Sequence, residues 1–222
     1  MKVFELLENV EGQFTTTELA NFTPEDTAEL LENECGDFVE AFRLSKTPLL
    51  RGVKEQNSYS NVIYADIRSD RKPLYMNTHS HALINQAMVE LNLKAHRGNS
   101  IFCTANKDTA NSWGMTFSIF VQDGWTGTVF QKVKYGYVFD YISNTADDLV
   151  YNDTLQDSER ISKIAEYLKT LKPHSFNTAS ELATVMNNAY DDILITGKRY
   201  YGVLAEGKTF FQEKVFKILL NK

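Results

Sequence analysis

Cysteine is scarce in this chain: Cys35 and Cys103 are the two thiols in 222 residues. Two cysteines so far apart exclude a disulfide framework of the kind that staples small secreted domains, and both are expected to be free in a reducing compartment. Glycine-rich phosphate loops are also missing. Neither GxGxxG nor GxxxxGKS/T occurs, which sets aside the Rossmann and P-loop signatures. GxSxG, HExxH and CxxC are absent, so Cys103 has no nucleophile signature around it and no metal motif stands out. His79 and His81 are two residues apart, a spacing that points them to different sides of a helix, and no metal site is expected from them.

No apolar run approaches the roughly 18 residues needed to span a bilayer, and the opening Met1-Lys2-Val3-Phe4-Glu5 lacks the apolar core of a secretory signal. The expectation is a soluble, cytoplasmic protein with no membrane partner. Positive charge is in deficit: Lys and Arg total 23 against 29 Asp and Glu, a formal charge of −6. Such a balance argues against residence on nucleic acid through bulk electrostatics, while a local basic patch stays compatible with it. No Pro/Gly/Ser-rich linker or low-complexity tract interrupts the chain, which argues for one substantial folded domain with a helical preface. What is abundant is aromatic, 14 Phe and 11 Tyr, which favours a β-rich core.

Thr23-Pro24-Glu25-Asp26 sets a capping residue before proline at the first helical position, with acids in the first turn. Leu30, Leu31, Cys35, Phe38, Val39 and Phe42 then recur at helical spacing, a core-facing stripe on one Glu-rich helix. Pro48 ends that pattern, and Leu49-Leu50-Arg51-Gly52-Val53 reads as a buried strand interrupted by a charge. Residues 62–67 are extended and lead into the basic loop Arg68-Ser69-Asp70-Arg71-Lys72-Pro73. Thr78 caps a helix to about Leu93, and a short strand follows Ser100. Strands are expected over Met115–Val121 and over residues 135–142, with Asp123-Gly124 and Thr126-Gly127 as turns. Helices are expected over 157–171 and 180–189. Residues 192–196 and 200–204, joined at Gly197-Lys198, form a β-hairpin candidate, and the apolar run 209–220 suits a strand or a short helix.

Three segments carry chemistry. Arg51 lies in an apolar run and needs an anionic partner, either an internal carboxylate or a phosphate gripped in bidentate fashion, and Gly52 allows close backbone approach to a ligand. Ser100-Ile101-Phe102-Cys103-Thr104-Ala105 offers hydroxyls at a strand-to-helix junction, for a ligand or for an ordinary helix cap. Asp191-Asp192 opens the apolar strand Ile193-Leu194-Ile195. That pair either terminates the preceding helix or presents a carboxylate that stabilises positive charge developing at an anomeric carbon. A nuclease would need a cluster of acids or His ligands, and no such set is evident.

Taken in order, Arg51, the segment Ser100 to Ala105 followed by Ala110 and Trp113-Gly114, and Asp192-Ile-Leu-Ile-Thr-Gly-Lys-Arg-Tyr-Tyr-Gly-Val resemble the arginine, serine-threonine-serine and glutamate motifs of mono-ADP-ribosyltransferases. The resemblance covers about residues 48–205 and extends to transferase-like proteins carried by tailed bacteriophages. It implies an α+β fold with an ADP-ribosyltransferase-like split mixed or antiparallel sheet in residues 47–222, preceded by an N-terminal helical segment, residues 1–46. It implies a glycosyltransferase that takes NAD as co-substrate and passes ADP-ribose to a macromolecular acceptor, a protein rather than a nucleic acid, in the host cytoplasm if phage-encoded. The catalytic roles fall on Asp192, Arg51 and Ser100. Dinucleotide binding falls on Arg51, Gly52, Ser100, Cys103 and Thr104, with Tyr64 or Phe117 stacking on nicotinamide. Two departures stand out: Cys103-Thr104-Ala105 replaces the Ser-Thr-Ser triplet, and Tyr190-Asp191-Asp192 replaces Glu-x-Glu. A carboxylate displaced by about an ångström costs on the order of a hundredfold in rate. The alternative is a protein that kept the sheet and lost the chemistry, an interaction or virion-associated module.

Overall fold

The computed structural model describes residues 22–53, 60–71, 78–133, 154–205 and 210–222. The expected strand at 135–142 and the expected helices before Phe22 lie outside the described residues. Within them the fold is α+β, with two four-stranded antiparallel sheets and seven helices.

The first sheet runs β1 (Leu49–Val53), β4 (Met115–Val121), β8 (Arg199–Leu204), β2 (Val62–Asp66). The second runs β3 (Ile101–Cys103), β7 (Ile193–Thr196), β5 (Thr126–Phe130), β6 (Pro173–Phe176). The sheets join where β1 meets the end of β3: Leu50 N donates to Thr104 O at 2.7 Å and Thr104 N to Leu50 O at 2.8 Å.

The hairpin expected at 192–204 is a turn without a hairpin. Gly197-Lys198 does reverse the chain, but β7 pairs with β3 and β5 while β8 pairs with β4 and β2, so consecutive strands enter different sheets. The link from β4 to β5 makes the same passage, through Gly124 at φ +91°. Thr126-Gly127, expected as a turn, opens β5 instead. Gly127 is required because a Cβ there would stand 2.2 Å from the Phe176 ring on the paired strand.

The N-terminal helix starts as its sequence dictates. Thr23 caps α1 (Pro24–Glu34) in a reciprocal capping box with Asp26. The single helix expected through Phe42 is two, because the backbone breaks at Cys35 and α2 (Gly36–Ser45) begins afresh. The new N-terminus is capped from far away in sequence: Asp123 accepts from Gly36 N at 3.2 Å and from Asp37 N at 3.0 Å.

Alternation along the strands decides what each sheet buries. Phe102, Leu194 and Phe130 of the second sheet pack with Leu83, Ile84, Ala87 and Met88 of α3 (Thr78–Glu90) and with Ile164 and Leu168 of α5 (Asp157–Thr170). The larger core takes Leu49, Phe117, Ile119, Val121, Cys103, Ile193 and Ile195 with side chains of α1, α2 and α6 (Ala179–Asn187), and Val215 and Leu219 of α7 (Phe210–Leu220). Each such Phe, Leu or Ile contributes about 1.5–3 kcal/mol by burial, so helices 24–45 belong to the same core as the sheets. The terminal apolar run is thus a helix, with Phe216 ring-to-ring against Phe42 at 4.6 Å.

Candidate functional site

β1 places Arg51 on the face it shares with Leu49 and Val53, cross-strand from Phe117. The side chain is 5 % exposed. Nη1 donates to Phe102 O at 2.8 Å, and the guanidinium lies 5.9 Å from the centre of the Tyr200 ring. Gly52 serves packing: a Cβ there would stand 2.2 Å from Ala110 O and 2.5 Å from Trp113 Cβ, because α4 (Lys107–Ser112) crosses directly over β1.

The hydroxyl segment divides its labour. Ser100 Oγ donates to His96 O at 2.5 Å and fastens the loop before β3. Thr104 Oγ1 accepts from Asn106 N at 2.9 Å and donates to Tyr190 O at 3.3 Å, linking the end of β3 to the residue before the acidic pair. The helix cap itself is Asn106, whose Oδ1 accepts from Asp108 N and Thr109 N.

Asp191 and Asp192 are 6 % and 2 % exposed. Asp191 Oδ1 accepts from Thr109 Oγ1 at 3.1 Å, which holds the start of α4 against the start of β7. Asp192 immediately precedes Ile193, the Cα partner of Cys103. Burial pushes the Cys103 thiol up to about 12, Arg51 and Arg71 pull it down, and Asp192 pushes it up. One thiol therefore feels both the arginine of β1 and the carboxylate that opens β7. Arg51, Cys103, Thr104 and Asp192 meet along the seam where the two sheets join.

The two aromatics considered for stacking lie on opposite faces of the first sheet. Tyr64 pairs with Tyr201 on the opposite face of the first sheet from Arg51, and the Arg199 guanidinium covers its ring at 4.8 Å. Phe117 shares Arg51's face as its cross-strand neighbour and is 3 % exposed.

Other side chains at the seam escaped the sequence reading. Arg71, seen there as part of a basic loop, donates through Nη1 to Ser100 O and lies 4.6 Å from the centre of the Phe102 ring. Burial, and after it Arg97, lower its guanidinium to about 9, still protonated at neutral pH. Arg97, 5 % exposed, lies 5.5 Å from the same ring and donates through Nε to His81 Nδ1 at 3.1 Å. His81 is lowered to about 4, by burial first and then by Arg97 and Arg71, so its imidazole is neutral. The one available signal for Arg97 was a cation followed by glycine just ahead of a strand. His79 goes to the other side of α3, with Nε2 3.2 Å from Asp157 Oδ1.

Chemically, the seam sets the buried Arg51 and the Arg71 guanidinium near the buried Asp192 carboxylate, all three acting on the Cys103 thiol. Among the described residues no three His, Cys, Asp or Glu side chains group as metal ligands, and no helix is long and apolar enough to cross a membrane. Compared with protein-family models, curated proteins and solved structures, the chain matches none.

Proposed function

We propose that this chain is an NAD-dependent mono-ADP-ribosyltransferase-like protein that transfers ADP-ribose to a macromolecular acceptor, a protein rather than a nucleic acid. One observation carries the reading. The Leu50–Thr104 bridge and the Cys103–Ile193 pairing bring the arginine strand, the hydroxyl segment and the aspartate strand edge to edge in a split antiparallel sheet. Three segments distant in sequence thus supply a cation and a carboxylate to one seam, the arrangement that a dinucleotide with a labile glycosidic bond calls for.

In this reading Arg51 holds phosphate of NAD and fixes the nicotinamide ribose relative to Asp192. The bond from C1′ to the nicotinamide nitrogen breaks, and its electron pair leaves with nicotinamide. Asp192 stabilises the cationic character that develops at C1′, and the acceptor side chain then forms the new bond there and loses its proton. A fixed carboxylate in a water-poor site is effective because it needs no reorganisation as charge appears.

Burial favours one competitor. Arg51 at 5 % and Asp192 at 2 % exposure are enclosed, which suits an interaction or virion-associated protein that retained the sheet without the reaction. Incubation with adenylate-labelled NAD and a cell lysate separates the two. Transfer or nicotinamide release by the wild type, reduced about a hundredfold or more in Arg51→Lys and Asp192→Asn, supports the transferase. Absence of both turnover and NAD binding in a folded wild type overturns it in favour of the interaction module.

A further inference from the structure

α4 touches the chain neighbour of Arg51 at one end and the chain neighbour of Asp192 at the other. Its C-terminal end lies on β1 at Gly52, where a Cβ would stand 2.2 Å from Ala110 O and 2.5 Å from Trp113 Cβ. Nearer its start, Thr109 Oγ1 donates to Asp191 Oδ1 at 3.1 Å. Thr109 and Trp113 are four residues apart, about one helical turn, so both attachments fall on one short, stiff element. That element is also fastened to the end of β3. Asn106 caps it by accepting from Asp108 N at 3.0 Å, and Thr104 Oγ1 accepts from Asn106 N at 2.9 Å.

The backbone on both sides of Asp192 is held. Before it, Tyr190 O accepts from Ala105 N at 3.1 Å and Thr109 holds the Asp191 carboxylate; after it, Ile193 pairs with Cys103. An aspartate side chain has one rotatable bond fewer than a glutamate, so the place of its carboxylate follows the backbone more closely. Asp191 is buried and Thr109 half-buried, which shields their hydrogen bond from competing water.

We propose that α4 is the spacer that sets the separation of Arg51 and Asp192, with Thr109 as the positioning residue that acts through Asp191. The inference rests on the transferase reading for the task of Asp192, and on the hydrogen bond to Asp191 and the contact with Gly52 for the spacer itself. Arg51 belongs to the first sheet and Asp192 opens a strand of the second, so a loosened tie lets one shift against the other. A catalytic group misplaced by about an ångström costs on the order of a hundredfold in rate. The tie therefore acts on kcat rather than on the affinity for NAD.

The test compares the full-length wild type with Thr109→Val, which keeps the volume and removes the hydroxyl, and with Thr109→Ser, which keeps the hydroxyl. Nicotinamide release from NAD is measured on each, and amide hydrogen exchange is followed by NMR. Thr109→Val is expected to lower kcat at least about tenfold and to leave KM within about twofold, while Thr109→Ser restores most of the loss. Exchange at residues 191–193 is expected to quicken at least about tenfold in Thr109→Val and to stay slow in Thr109→Ser, with exchange along β4 unchanged in both. Unchanged exchange at residues 191–193 overturns the proposal, as does a folded Thr109→Val with the kcat of the wild type or a loss that Thr109→Ser does not restore. A wild type that neither turns over nor binds NAD removes the transferase, and the exchange measurement then decides the spacer by itself. Turnover by the wild type with kcat unmoved in Thr109→Val removes this inference and leaves the transferase.

Discussion

Arg51 Nη1 on β1 donates to Phe102 O on β3 at 2.8 Å, one residue along the chain from Leu50 and two from Thr104, the pair that forms the backbone bridge between the sheets. A charged side chain and a pair of amide hydrogen bonds thus hold the two sheets together at the same point, and the residue read as the dinucleotide anchor is also a fastening of the fold.

Arg51→Met is expected to lose stability as well as activity. A hydrogen bond from a charged donor contributes about 1.5–3 kcal/mol, so the denaturant midpoint should fall by that equivalent. Arg51→Lys should retain more stability than Arg51→Met and still lack the fork that grips phosphate. Urea unfolding curves beside nicotinamide-release assays on both variants measure the two roles separately.

Gly52→Ala is expected to cost about 1–3 kcal/mol. The added methyl would stand 2.2 Å from Ala110 O and 2.5 Å from Trp113 Cβ, atoms at the C-terminal end of α4 that cannot rotate away. Relief requires α4 to lift off β1. Thermal melts of Gly52→Ala check the cost, and a melting temperature within a degree of wild type would show that α4 does not pack as described.

Acid should destabilise the protein through His81. Its imidazole titrates near 4 when folded against 6.5 as the ordinary value, so between these the unfolded chain binds a proton that the folded chain refuses. Stability is therefore complete above pH 6.5, falls as the pH drops through that window, and stops falling from this cause below pH 4, a loss of up to about 3 kcal/mol. His96 is lowered too, by burial, and adds in the same direction. In urea titrations across this range, His81→Asn should flatten the slope, and an unchanged slope would place the acid sensitivity elsewhere.

Cys35 and Cys103 are free and 0 % exposed, and burial raises both thiols, Cys103 to about 12. Alkylation or disulfide exchange with a thiol reagent at neutral pH is expected to be slow in the native protein and to reach both residues on unfolding. Rapid labelling of native Cys103, read by mass spectrometry, would show the seam to open.

Much of the local structure was legible. Thr23-Pro24 before two acids announced a helix start because cap, fixed φ and dipole agree within four residues. β4 over Met115–Val121 matched its strand pattern at both ends. The helix break at Cys35 was illegible because the atoms that cap α2 belong to Asp123, on a turn nearly ninety residues away in sequence. The supposed hairpin after Asp192 failed for a related reason: a two-residue turn specifies that the chain reverses, while the choice of pairing partner belongs to the neighbouring strands. Tyr64 shows the limit for site residues. Its aromaticity was visible, but which face of the first sheet it occupies depends on register with β8.

By itself the sequence determined the α+β character, most element positions, the two free thiols and the three segments that carry Arg51, the hydroxyls and Asp192, because periodicity and capping act over a few residues. Tertiary structure alone decided that those segments share a seam, that Gly52 yields to α4, and that Arg71, Arg97 and His81 gather at Phe102. Coulomb and packing energies depend on distance in space, and residues far apart in sequence acquire such distances only when strands pair and helices dock.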